Sequence, residues 1–431
     1  PAELLRLRLR LRQDEKERRV VMAEMEPVNR RNLEEIEAER FRDEDRSTAS
    51  SNEQEDVERT VLNQFEMFDK RAEVDIDCPL LLRQKHADYI KKSLIHLHQS
   101  YQCLDSSRPW LLYWSLHSLA LLEESLADED YSHIVGFLAR CQSPNGGFGG
   151  GPGQLPHIAC TYAAVNALCS IGTKEAFSAI NREKLLEFLW SVRQPDGSFL
   201  MHENGEIDVR GAYCALSVSK LTNIFTPELF EGSAEWIVRC QSYEGGFSAC
   251  PGMEAHGGYS FCALAALFML GKDNLCDMKA FMRWITNRQM RLEGGFQGRT
   301  NKLVDACYSF WQGGAFLFLH NILFKENKSI VNPDRWLFDQ EALQEYILMC
   351  CQNSSGGLID KPGKARDLYH TCYALSGLSV AQHTSLIKKY VVGSKSNLLA
   401  PIHPMFNITF DSAVKSMKYF ENLPIPQIGI P

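Results

Sequence analysis

Gln142-Ser-Pro-Asn-Gly-Gly-Phe148 is the stretch of sequence that decides the fold, because variants of it recur along the chain. The variants begin with glutamine, end in a large apolar residue, and occupy residues 142–148, 194–199, 241–247, 289–296 and 352–358. Their glutamines stand roughly 50 residues apart, and self-similarity at such a period indicates repeated supersecondary units. We therefore expect a fold built by repetition, although a chain of 431 residues is long enough for two or three domains.

Each repeat predicts two helices of different character. An amphipathic stretch precedes the glutamine, as at 134–141 and 236–240, where apolar residues recur at helical spacing. We expect the glycines to end this helix, because glycine adopts left-handed conformations at low cost. A second helix of small and apolar residues follows, and in the five repeats it begins near Tyr162, Tyr213, Tyr259, Tyr308 and Tyr373.

The two kinds of helix indicate an outer layer around an inner layer, because a helix that is apolar on all sides is buried. Five clear repeats are present, with degenerate material at 89–122 and at the C-terminus. We predict an all-α fold, an α/α barrel (toroid) of helix-pair repeats, over residues 61–425. An open solenoid is the alternative, but its inner helices seldom need to be so apolar.

Residues 1–60 differ from the rest, since they are dense in charged side chains and contain one aromatic residue, Phe41. Such a segment buries too little apolar surface to offset the entropy of ordering, so we expect a disordered or loosely helical charged extension. The alternation of leucine and arginine at 5–12 is also compatible with a strand or a basic arm. The chain starts at Pro1, and Met22 or Met25 is a candidate for the native start.

The composition narrows the class of protein. Apolar residues at 45% and aromatic residues at 10% are typical of globular chains, and a net charge of −8 argues against a general nucleic-acid binder. Fourteen cysteines without CxxC pairs indicate a reduced, intracellular protein. Because no stretch of about 18 uninterrupted apolar residues and no secretory signal is present, we expect a cytoplasmic protein without stable membrane insertion.

When the five repeats are aligned on these tyrosines, one column of the alignment points to a functional site. The residues three positions before the tyrosines are Ala159, Arg210, His256, Asp305 and His370. Each polar residue alone has a structural explanation, as a helix cap, a satisfied core histidine or a surface charge. Together, at one end of a closed barrel, they favour a binding or catalytic site, since unpaired buried charge is costly.

Several side chains near this column suggest its chemistry. Asp305, Cys307 and His370 supply a carboxylate, a thiolate and an imidazole, which suit zinc with one coordination position left open. Positions i and i+2 do not share a helix face, so both can reach one ion only at an irregular helix start. With His256, the pair Arg299 and Lys302 forms a cationic cluster able to hold a diphosphate, or only a solvated loop. The aromatic residues of the inner helices line a tunnel or fill the core.

Long strings of the sequence resemble the protein prenyltransferase β-subunit family, in particular its farnesyl-transferring branch. The strings are SSRPW at 106–110, QSPNGGFGGGPG at 142–153, PGMEAHGGY at 251–259, NKLVDACYSFW at 301–311, and the segments 360–364 and 369–373. The resemblance covers the chain from about Tyr89 to His403. It implies an α/α barrel, in agreement with the repeats, and an obligate heterodimer with a crescent-shaped helical α subunit.

The resemblance implies a transferase that moves farnesyl from farnesyl diphosphate to the cysteine thiol of C-terminal CaaX motifs, in proteins such as small GTPases, to form a thioether. It implies one Zn²⁺ per β subunit on Asp305, Cys307 and His370, with the substrate cysteine completing the coordination and attacking as a thiolate. It also implies Mg²⁺ with the diphosphate, and Asp360 matches the family's ligand for that ion.

The resemblance further assigns substrate contacts. The implied catalytic residues are Asp305, Cys307, His370 and Tyr308. The implied diphosphate ligands, helped by a lysine of the α subunit, are His256, Arg299, Lys302 and Tyr308. The implied isoprenoid contacts are Arg210, Tyr213, Tyr259, Cys262, Trp311, Trp110 and Tyr373. The implied contacts of the peptide are Trp110, Trp114, Arg210 and Tyr369.

Related activities are the alternatives. The type I geranylgeranyltransferase β subunit shares the fold and metal site, but Trp110 and Tyr373 match the floor of the farnesyl pocket, and Asp360 stands where those enzymes have lysine. Terpene and squalene cyclases share the barrel, but the acidic stretches at 43–45 and 128–130 do not supply their DxDD motif. A catalytically inactive binding scaffold would not need the metal residues. For the long gap between repeats at 319–343 the sequence predicts an exposed loop or insertion of no assigned function.

Overall fold

Helices account for most of the computed structural model, which describes residues 31–42, 46–72, 78–326, 336–383 and 390–429. In chain order the α-helices of these residues are α1 (Leu33–Ala38), α2 (Ala49–Ala72), α3 (Arg83–Ile95), α4 (Arg108–Leu121), α5 (Asp128–Cys141), α6 (Ile158–Ile171), α7 (Lys174–Ser178), α8 (Arg182–Val192), α9 (Val209–Leu221), α10 (Ser233–Arg239), α11 (Gly257–Leu270), α12 (Met278–Thr286), α13 (Tyr308–Glu326), α14 (Gln340–Glu345), α15 (Leu368–Gln382) and α16 (Phe410–Glu421).

Short elements complete this description. Four 3-10 helices and one π-helix lie at Gln99–Ser107, Glu228–Phe230, Asp273–Leu275, Lys395–Asn397 and, for the π-helix, Tyr346–Cys350. Two small antiparallel hairpins pair β1 (Leu358–Ile359) with β2 (Arg366–Asp367) and β3 (Ile402–His403) with β4 (Ile408–Thr409).

Six helices form a closed inner ring. Helices α4, α6, α9, α11, α13 and α15 pack against one another in this order, and α15 packs back against α4. Small and apolar residues cover every side of these helices; α11, for example, buries Ala263, Leu264, Ala265 and Ala266 completely. The predicted α/α barrel is therefore confirmed, and closure of the ring rules out the open solenoid.

The outer layer contains the amphipathic helix of each repeat. Helix α5 buries Val135, Leu138 and Cys141, a stripe along one face, and turns its acidic first turn to solvent. The degenerate stretch at 89–122 supplies the sixth unit, because α3 packs against α4. The barrel therefore contains six helix pairs, one more than the five clear repeats recognised in the sequence.

The recurring phrase forms a tight turn after each outer helix, closed by an antiparallel bridge such as that between Gln142 and Phe148. Helix α5 already ends at Cys141, and Gln142 is extended, so the expectation that the glycines end this helix was wrong. The glycines shape the turn instead, and Gly146 has a φ of +93°. A Cβ atom at Gly146 would collide with the carbonyl group of Lys184 in α8, so glycine also permits this close approach.

The glutamine of the phrase links neighbouring units. The side-chain amides of Gln142 and Gln289 bond through both the oxygen and the nitrogen to the backbone of the next unit. Gln352 makes the same contact where the ring closes, since its Nε2 donates to the carbonyl of Leu80 at 3.1 Å and its Oε1 accepts from the amide of Leu82 at 2.8 Å. One kind of contact therefore joins successive repeats and also seals the ring.

Part of the charged extension packs on the outside of the barrel. Helix α2 buries Glu58 and Phe65, and Nε of Arg31 lies 2.6 Å from Oε2 of Glu345 in α14. This helix is continuous across residue 60, where we expect the barrel domain to begin. Residues 1–30, with the leucine–arginine alternation and both candidate start methionines, lie outside the described residues.

The loop between β3 and β4 inserts among the inner helices. The backbone carbonyl groups of residues 405–407 accept hydrogen bonds from the hydroxyl groups of Tyr213, Tyr162 and Tyr113, at 3.1, 2.8 and 2.7 Å respectively. The loop is thereby held by three inner helices, and it limits the space that the ring encloses.

The fourteen cysteines all lie in the described residues, where none forms a disulfide bond and eleven are buried. The sequence predicts an exposed loop or insertion at 319–343, and this is wrong for residues 319–326, where α13 continues to Glu326 and buries Leu319 and Ile322. The indole of Trp336 packs on His320 with ring centroids 3.9 Å apart. Residues 327–335 of this gap lie outside the described residues. Within the ranges that the structure covers, every helix is too short or too polar to cross a membrane.

Candidate metal centre and substrate cavity

Five inner helices begin at, or just after, a side chain that caps the backbone. These caps stand nine residues after the last apolar residue of each recurring phrase, and they are His157, Asp208, His256, Asp305 and Asp367. Each accepts a hydrogen bond from a backbone N–H two or three residues further on. Since N-terminal N–H groups of a helix need such acceptors, the backbone itself gathers these polar side chains at one end of the ring.

The caps correct the alignment on which the site was predicted. Of the predicted column, only His256 and Asp305 are caps, whereas Ala159 and Arg210 stand two residues beyond a cap and His370 stands three beyond. The cause is that cap and tyrosine are five residues apart in α6 and α9, three apart in α11 and α13, and six apart in α15. The column was therefore wrong as an alignment, but its members all lie at helix starts on the same end of the ring.

Asp305, Cys307 and His370 form a compact group of potential metal ligands. One ligand atom of each lies within 4.8 Å of the other two, and among the residues that the structure describes this is the one such group found. Asp305 and Cys307 both precede α13, so the chain is not yet helical where they lie. Oδ1 of Asp305 accepts a hydrogen bond from the amide of Cys307 at 2.8 Å, which brings the two side chains to the same point.

Asp367, which the sequence analysis missed, orients His370. Nδ1 of the imidazole lies 2.6 Å from Oδ2 of Asp367, and Nε2 faces Oδ1 of Asp305 at 3.3 Å. Nε2 is buried and has no partner in hydrogen-bonding geometry. Metal-bound histidines commonly donate the N–H of their second ring nitrogen to a carboxylate. The contact with Asp367 therefore orients His370 as a metal ligand.

The charges of this group suit a cation. Although burial lowers the pKa of His370, the carboxylates of Asp305 and Asp367 raise it to about 10. Burial and the charge of Asp305 raise the pKa of the Cys307 thiol well above its usual range. A metal ion bound here would take the place of both protons and would satisfy the buried Nε2. One carboxylate, one thiolate and one imidazole fit tetrahedral zinc with a fourth position for another ligand.

The four residues expected to bind diphosphate lie on two neighbouring repeats. The hydroxyl group of Tyr308 lies 3.0 Å from Nε2 of His256, whose Nδ1 caps α11, so the proton of this imidazole points to Tyr308. Burial and the charge of Arg299 lower the pKa of His256 to about 4, so the imidazole is neutral at pH 7. Arg299 is ion-paired with Glu254 at 2.7 Å, and Lys302 is exposed three residues further on.

An aromatic wall leads away from the metal ligands. The rings of Trp311 and Tyr373 stack with centroids 4.6 Å apart, and the ring of Tyr369 lies 4.8 Å from that of Tyr373. The indole N–H of Trp311 donates to the hydroxyl group of Tyr369 at 3.3 Å. Because Tyr369 directly precedes His370 in α15, this wall begins at the metal group. Trp114 continues it with an edge-on contact to Tyr369 at 5.5 Å.

Trp110 lies at the centre of a second aromatic cluster that joins this wall. Its indole lies 5.8, 5.6 and 5.7 Å from the rings of Tyr113, Trp114 and Tyr162. Tyr162, to which the sequence analysis gave no role in the site, also meets the hydroxyl group of Tyr213 at 3.3 Å. Ring contacts thus connect four of the five aromatic residues expected to border the isoprenoid, namely Trp110, Tyr213, Trp311 and Tyr373. Tyr259 packs on His256 and Arg210 instead. Tyr213 and Tyr373 are almost completely buried.

Arg210 is held beside this surface by a cap residue. Its guanidinium makes two hydrogen bonds to Asp208, at 2.9 and 2.6 Å, and lies over the ring of Tyr259 at 5.8 Å from the centroid. Cys262 is buried one turn after Tyr259 in α11. The side chain of Arg210 is 44% exposed, so its charged end remains accessible to a polar group from solvent.

Asp360, the expected magnesium ligand, lies next to the metal group but is already paired. Nζ of Lys361 lies 2.5 Å from both carboxylate oxygens. The carbonyl group of Asp360 accepts from the amide of Ala306 at 2.9 Å, which places it beside Asp305. Burial and the charge of Asp305 raise the pKa of Asp360. The carboxylate suits Mg²⁺ as a hard oxygen ligand, provided that Lys361 gives way.

Residues 81–408 match the family model described as "Prenyltransferase alpha-alpha toroid domain". A Pisum sativum protein named "Protein farnesyltransferase subunit beta" is 42% identical over 399 residues, which cover 78% of this chain and 95% of the relative. The Saccharomyces cerevisiae protein of the same name is 38% identical over 376 residues, covering 83% and 84%. The structure titled "Candida albicans protein geranylgeranyltransferase-I complexed with GGPP" has a TM-score of 0.65 and 25% identity, covering 79% of this chain and 98% of that one.

The fold and the family model define the class first: the chain is a prenyltransferase of the α/α toroid type. The relatives are 37% to 42% identical over most of the chain and are named protein farnesyltransferase subunit beta. The chain therefore belongs to the protein prenyltransferase β-subunit family, as a member of its farnesyltransferase branch.

Proposed function

We propose that this chain is the catalytic β subunit of a protein farnesyltransferase. It transfers farnesyl from farnesyl diphosphate to the cysteine thiol of a C-terminal CaaX motif, with formation of a thioether, in proteins such as small GTPases. The observation that carries the proposal is the grouping of Asp305, Cys307 and His370 at the start of an apolar aromatic wall. A thiol-binding metal group beside apolar aromatic side chains is what the transfer of an isoprenoid to a cysteine requires.

The three ligand residues hold one Zn²⁺ in this proposal. Bound zinc lowers the pKa of a coordinated thiol, so that the substrate cysteine is a thiolate at neutral pH. Asp305 and Cys307 contribute two negative charges, which keep that thiolate electron-rich and nucleophilic. Asp367 fixes the ring of His370, so that Nε2 would be available to the ion.

The cationic residues of the neighbouring loop stabilise the departing diphosphate. His256 donates to the hydroxyl oxygen of Tyr308, which leaves the phenolic proton of Tyr308 for an oxygen of the leaving group. Arg299 and Lys302 supply positive charge, and a lysine of the α subunit adds to it. Asp360 binds the Mg²⁺ that accompanies the diphosphate.

The aromatic surface determines which substrates fit. Trp110 and Tyr373 form the floor that accepts a fifteen-carbon chain, and the same surface with Arg210 meets the C-terminal residues of the peptide. The proposed isoprenoid contacts beyond these three are Tyr213, Tyr259, Cys262 and Trp311. The proposed peptide contacts are Trp110, Trp114, Arg210 and Tyr369. We assign the catalytic domain to residues 61–425 and the protein to the cytoplasm, as a heterodimer with a prenyltransferase α subunit.

A type I geranylgeranyltransferase β subunit is the second candidate. The solved Candida albicans enzyme, which is named for that activity, shares the barrel at a TM-score of 0.65. Trp110, Tyr373 and Asp360 favour the shorter farnesyl donor, since that branch has smaller or different residues at the first two positions and lysine at the third. A terpene-cyclase-like barrel is the more remote possibility, because the chain has no DxDD motif and a cyclase needs no zinc group.

Co-expression with an α subunit tests the proposal. The purified complex is given a peptide that ends in a CaaX motif together with farnesyl and geranylgeranyl diphosphate, and the peptide mass identifies the group transferred. We expect a farnesylated peptide. Asp305→Ala should lose zinc and activity together, whereas Asp411→Ala, an exposed aspartate in α16, should retain both. Full activity in zinc-depleted Asp305→Ala protein would end this proposal.

A further inference from the structure

Lys361 and Asp360 form a short ion pair in which the lysine side chain is almost completely buried. Nζ lies 2.5 Å from each carboxylate oxygen, and Lys361 is only 8% exposed. Lysines are rarely so buried, since the ammonium group loses its hydration and must be compensated by a partner. Lys364 lies three residues further along the same loop and, unlike Lys361, is exposed to solvent.

The backbone fixes where this pair lies. The carbonyl group of Asp360 accepts hydrogen bonds from the amide of Ala306 at 2.9 Å and from the hydroxyl group of Tyr346 at 3.0 Å. Ala306 stands between Asp305 and Cys307, so the backbone of Asp360 is held beside the candidate metal ligands. In the described part of the chain, the charged groups that act on the Asp360 carboxylate are Asp305, His370 and Lys361.

The ammonium group of Lys361 occupies the same oxygens that a divalent cation would use. Both carboxylate oxygens of Asp360 lie at contact distance from Nζ, and a cation can bind there only if Nζ moves away. An ammonium group moves away readily when it can bind phosphate oxygens instead, because these carry comparable negative charge.

We propose that Lys361 is a positioning residue that occupies the carboxylate of Asp360 and competes there with a divalent cation. When a diphosphate enters, Lys361 transfers its hydrogen bonds to the diphosphate oxygens and frees Asp360 for the cation. The ion thus binds together with the donor rather than before it. This inference rests on the proposed function for the position of the diphosphate, and on the ion pair for the competition.

Direct cation binding tests the competition without any catalytic readout. The zinc-loaded full chain, with its α subunit where the two copurify, is titrated with Mn²⁺, and the electron paramagnetic resonance signal of free Mn²⁺ gives the bound fraction. Lys361→Met should bind Mn²⁺ about tenfold more tightly than the parent, a factor that corresponds to about 1.4 kcal/mol. Lys364→Met is the matched control and should bind like the parent.

Two further variants keep the result decisive. Lys361→Arg retains the charge and should bind Mn²⁺ as weakly as the parent, which separates charge from packing. Asp360→Asn added to Lys361→Met should abolish the gain in affinity. If Lys361→Met proves unstable, Lys361→Gln serves in its place. Equal or weaker Mn²⁺ binding by the neutral variants, or a gain that survives Asp360→Asn, overturns the proposal.

Inorganic pyrophosphate tests the transfer of Lys361 to the donor. Pyrophosphate should tighten Mn²⁺ binding in the parent and much less in Lys361→Met, where the competing charge is already gone. An equal effect of pyrophosphate in both proteins overturns this step. Failure of the proposed farnesyl transfer would appear separately, as absence of the modified peptide with the Mn²⁺ result intact.

Discussion

Replacement of Glu293 by glutamine should make the docking of α2 (Ala49–Ala72) on the barrel insensitive to pH. Glu293 is 1% exposed, its Oε1 accepts from the side-chain amide of Gln54 at 2.9 Å, and its Oε2 is buried with no hydrogen-bond partner. The same amide donates to Glu58 at 3.1 Å. One amide group therefore bridges two buried carboxylates, one on α2 and one on the barrel, and Glu58 also accepts from the amide of Phe41.

The size of the effect follows from the pKa of Glu293, which burial raises from 4.5 to about 7. A carboxyl group with a raised pKa contributes its stabilisation fully below pH 4.5 and loses it as the pH rises through 7. A shift of about 2.5 pKa units corresponds to about 3 kcal/mol of docking free energy lost between these limits. Burial also raises the pKa of Glu58, which adds to the loss of docking free energy at high pH. The charge of Arg31 lowers the pKa of Glu293 and that of Arg40 lowers the pKa of Glu58, so both reduce the effect.

Hydrogen exchange of the α2 amides measures this docking. After correction for the intrinsic exchange rates, the opening free energy of α2 in the parent should fall by about 2–4 kcal/mol from about pH 5 to about pH 8.5. Glu293→Gln should keep it constant. Glu244→Gln is the matched control, because Glu244 holds the same place in the preceding turn but is only half-buried, and it should leave the pH dependence intact. A parent without pH dependence, or a variant that retains it, would refute the reasoning.

Three other predictions concern the metal group, the cavity and the ring. Asp367→Asn should weaken zinc binding about 10- to 100-fold, since the imidazole of His370 loses the charge that orients it. Competition with a chromophoric chelator measures the zinc affinity, and an unchanged affinity would contradict the orienting role of Asp367. Trp110→Thr combined with Tyr373→Phe should shift preference to geranylgeranyl diphosphate in a two-donor competition; unchanged preference would count against the floor. Gln352→Leu should destabilise the chain by about 2 kcal/mol or more in urea unfolding, because three backbone groups and the imidazole of His86 lose this partner. Gln194→Leu, whose amide donates only within its own turn, should cost less.

The architecture was predictable because it depends on local sequence patterns. Helical periodicity before each turn, small residues after it and a regular spacing of glutamines are properties of short windows, and each survives in the structure. Closure of the ring followed from the apolar character of the inner helices. The sixth pair was only partly recognisable, since the turn between Ile95 and Gln99 lacks the recurring phrase and only composition marks α3 and α4.

The site was predictable in its residues but not in its register. Counting from tyrosines misaligned three of five repeats, whereas counting nine residues from each turn would have found Asp208 and Asp367 among the caps. Pairs such as Lys361 with Asp360 are neighbours in sequence, but only the packing around them determines whether two adjacent side chains point together or apart. The docking of α2 also could not be foreseen, because α2 packs against the π-helix at Tyr346–Cys350, which lies far along the chain.

Gln352 has a consequence for how such a molecule can evolve. Where repeats are stacked in a line, a unit can be duplicated or deleted and the ends merely shift. Here the last unit bonds to Leu80 and Leu82 of the first, so a gain or loss of one unit would leave ends that no longer meet. The circumference is therefore invariant, and adaptation to a longer or shorter substrate is confined to point substitutions along the inner wall. Circular permutation, by contrast, should be tolerated at the outer turns, since a ring has no preferred beginning.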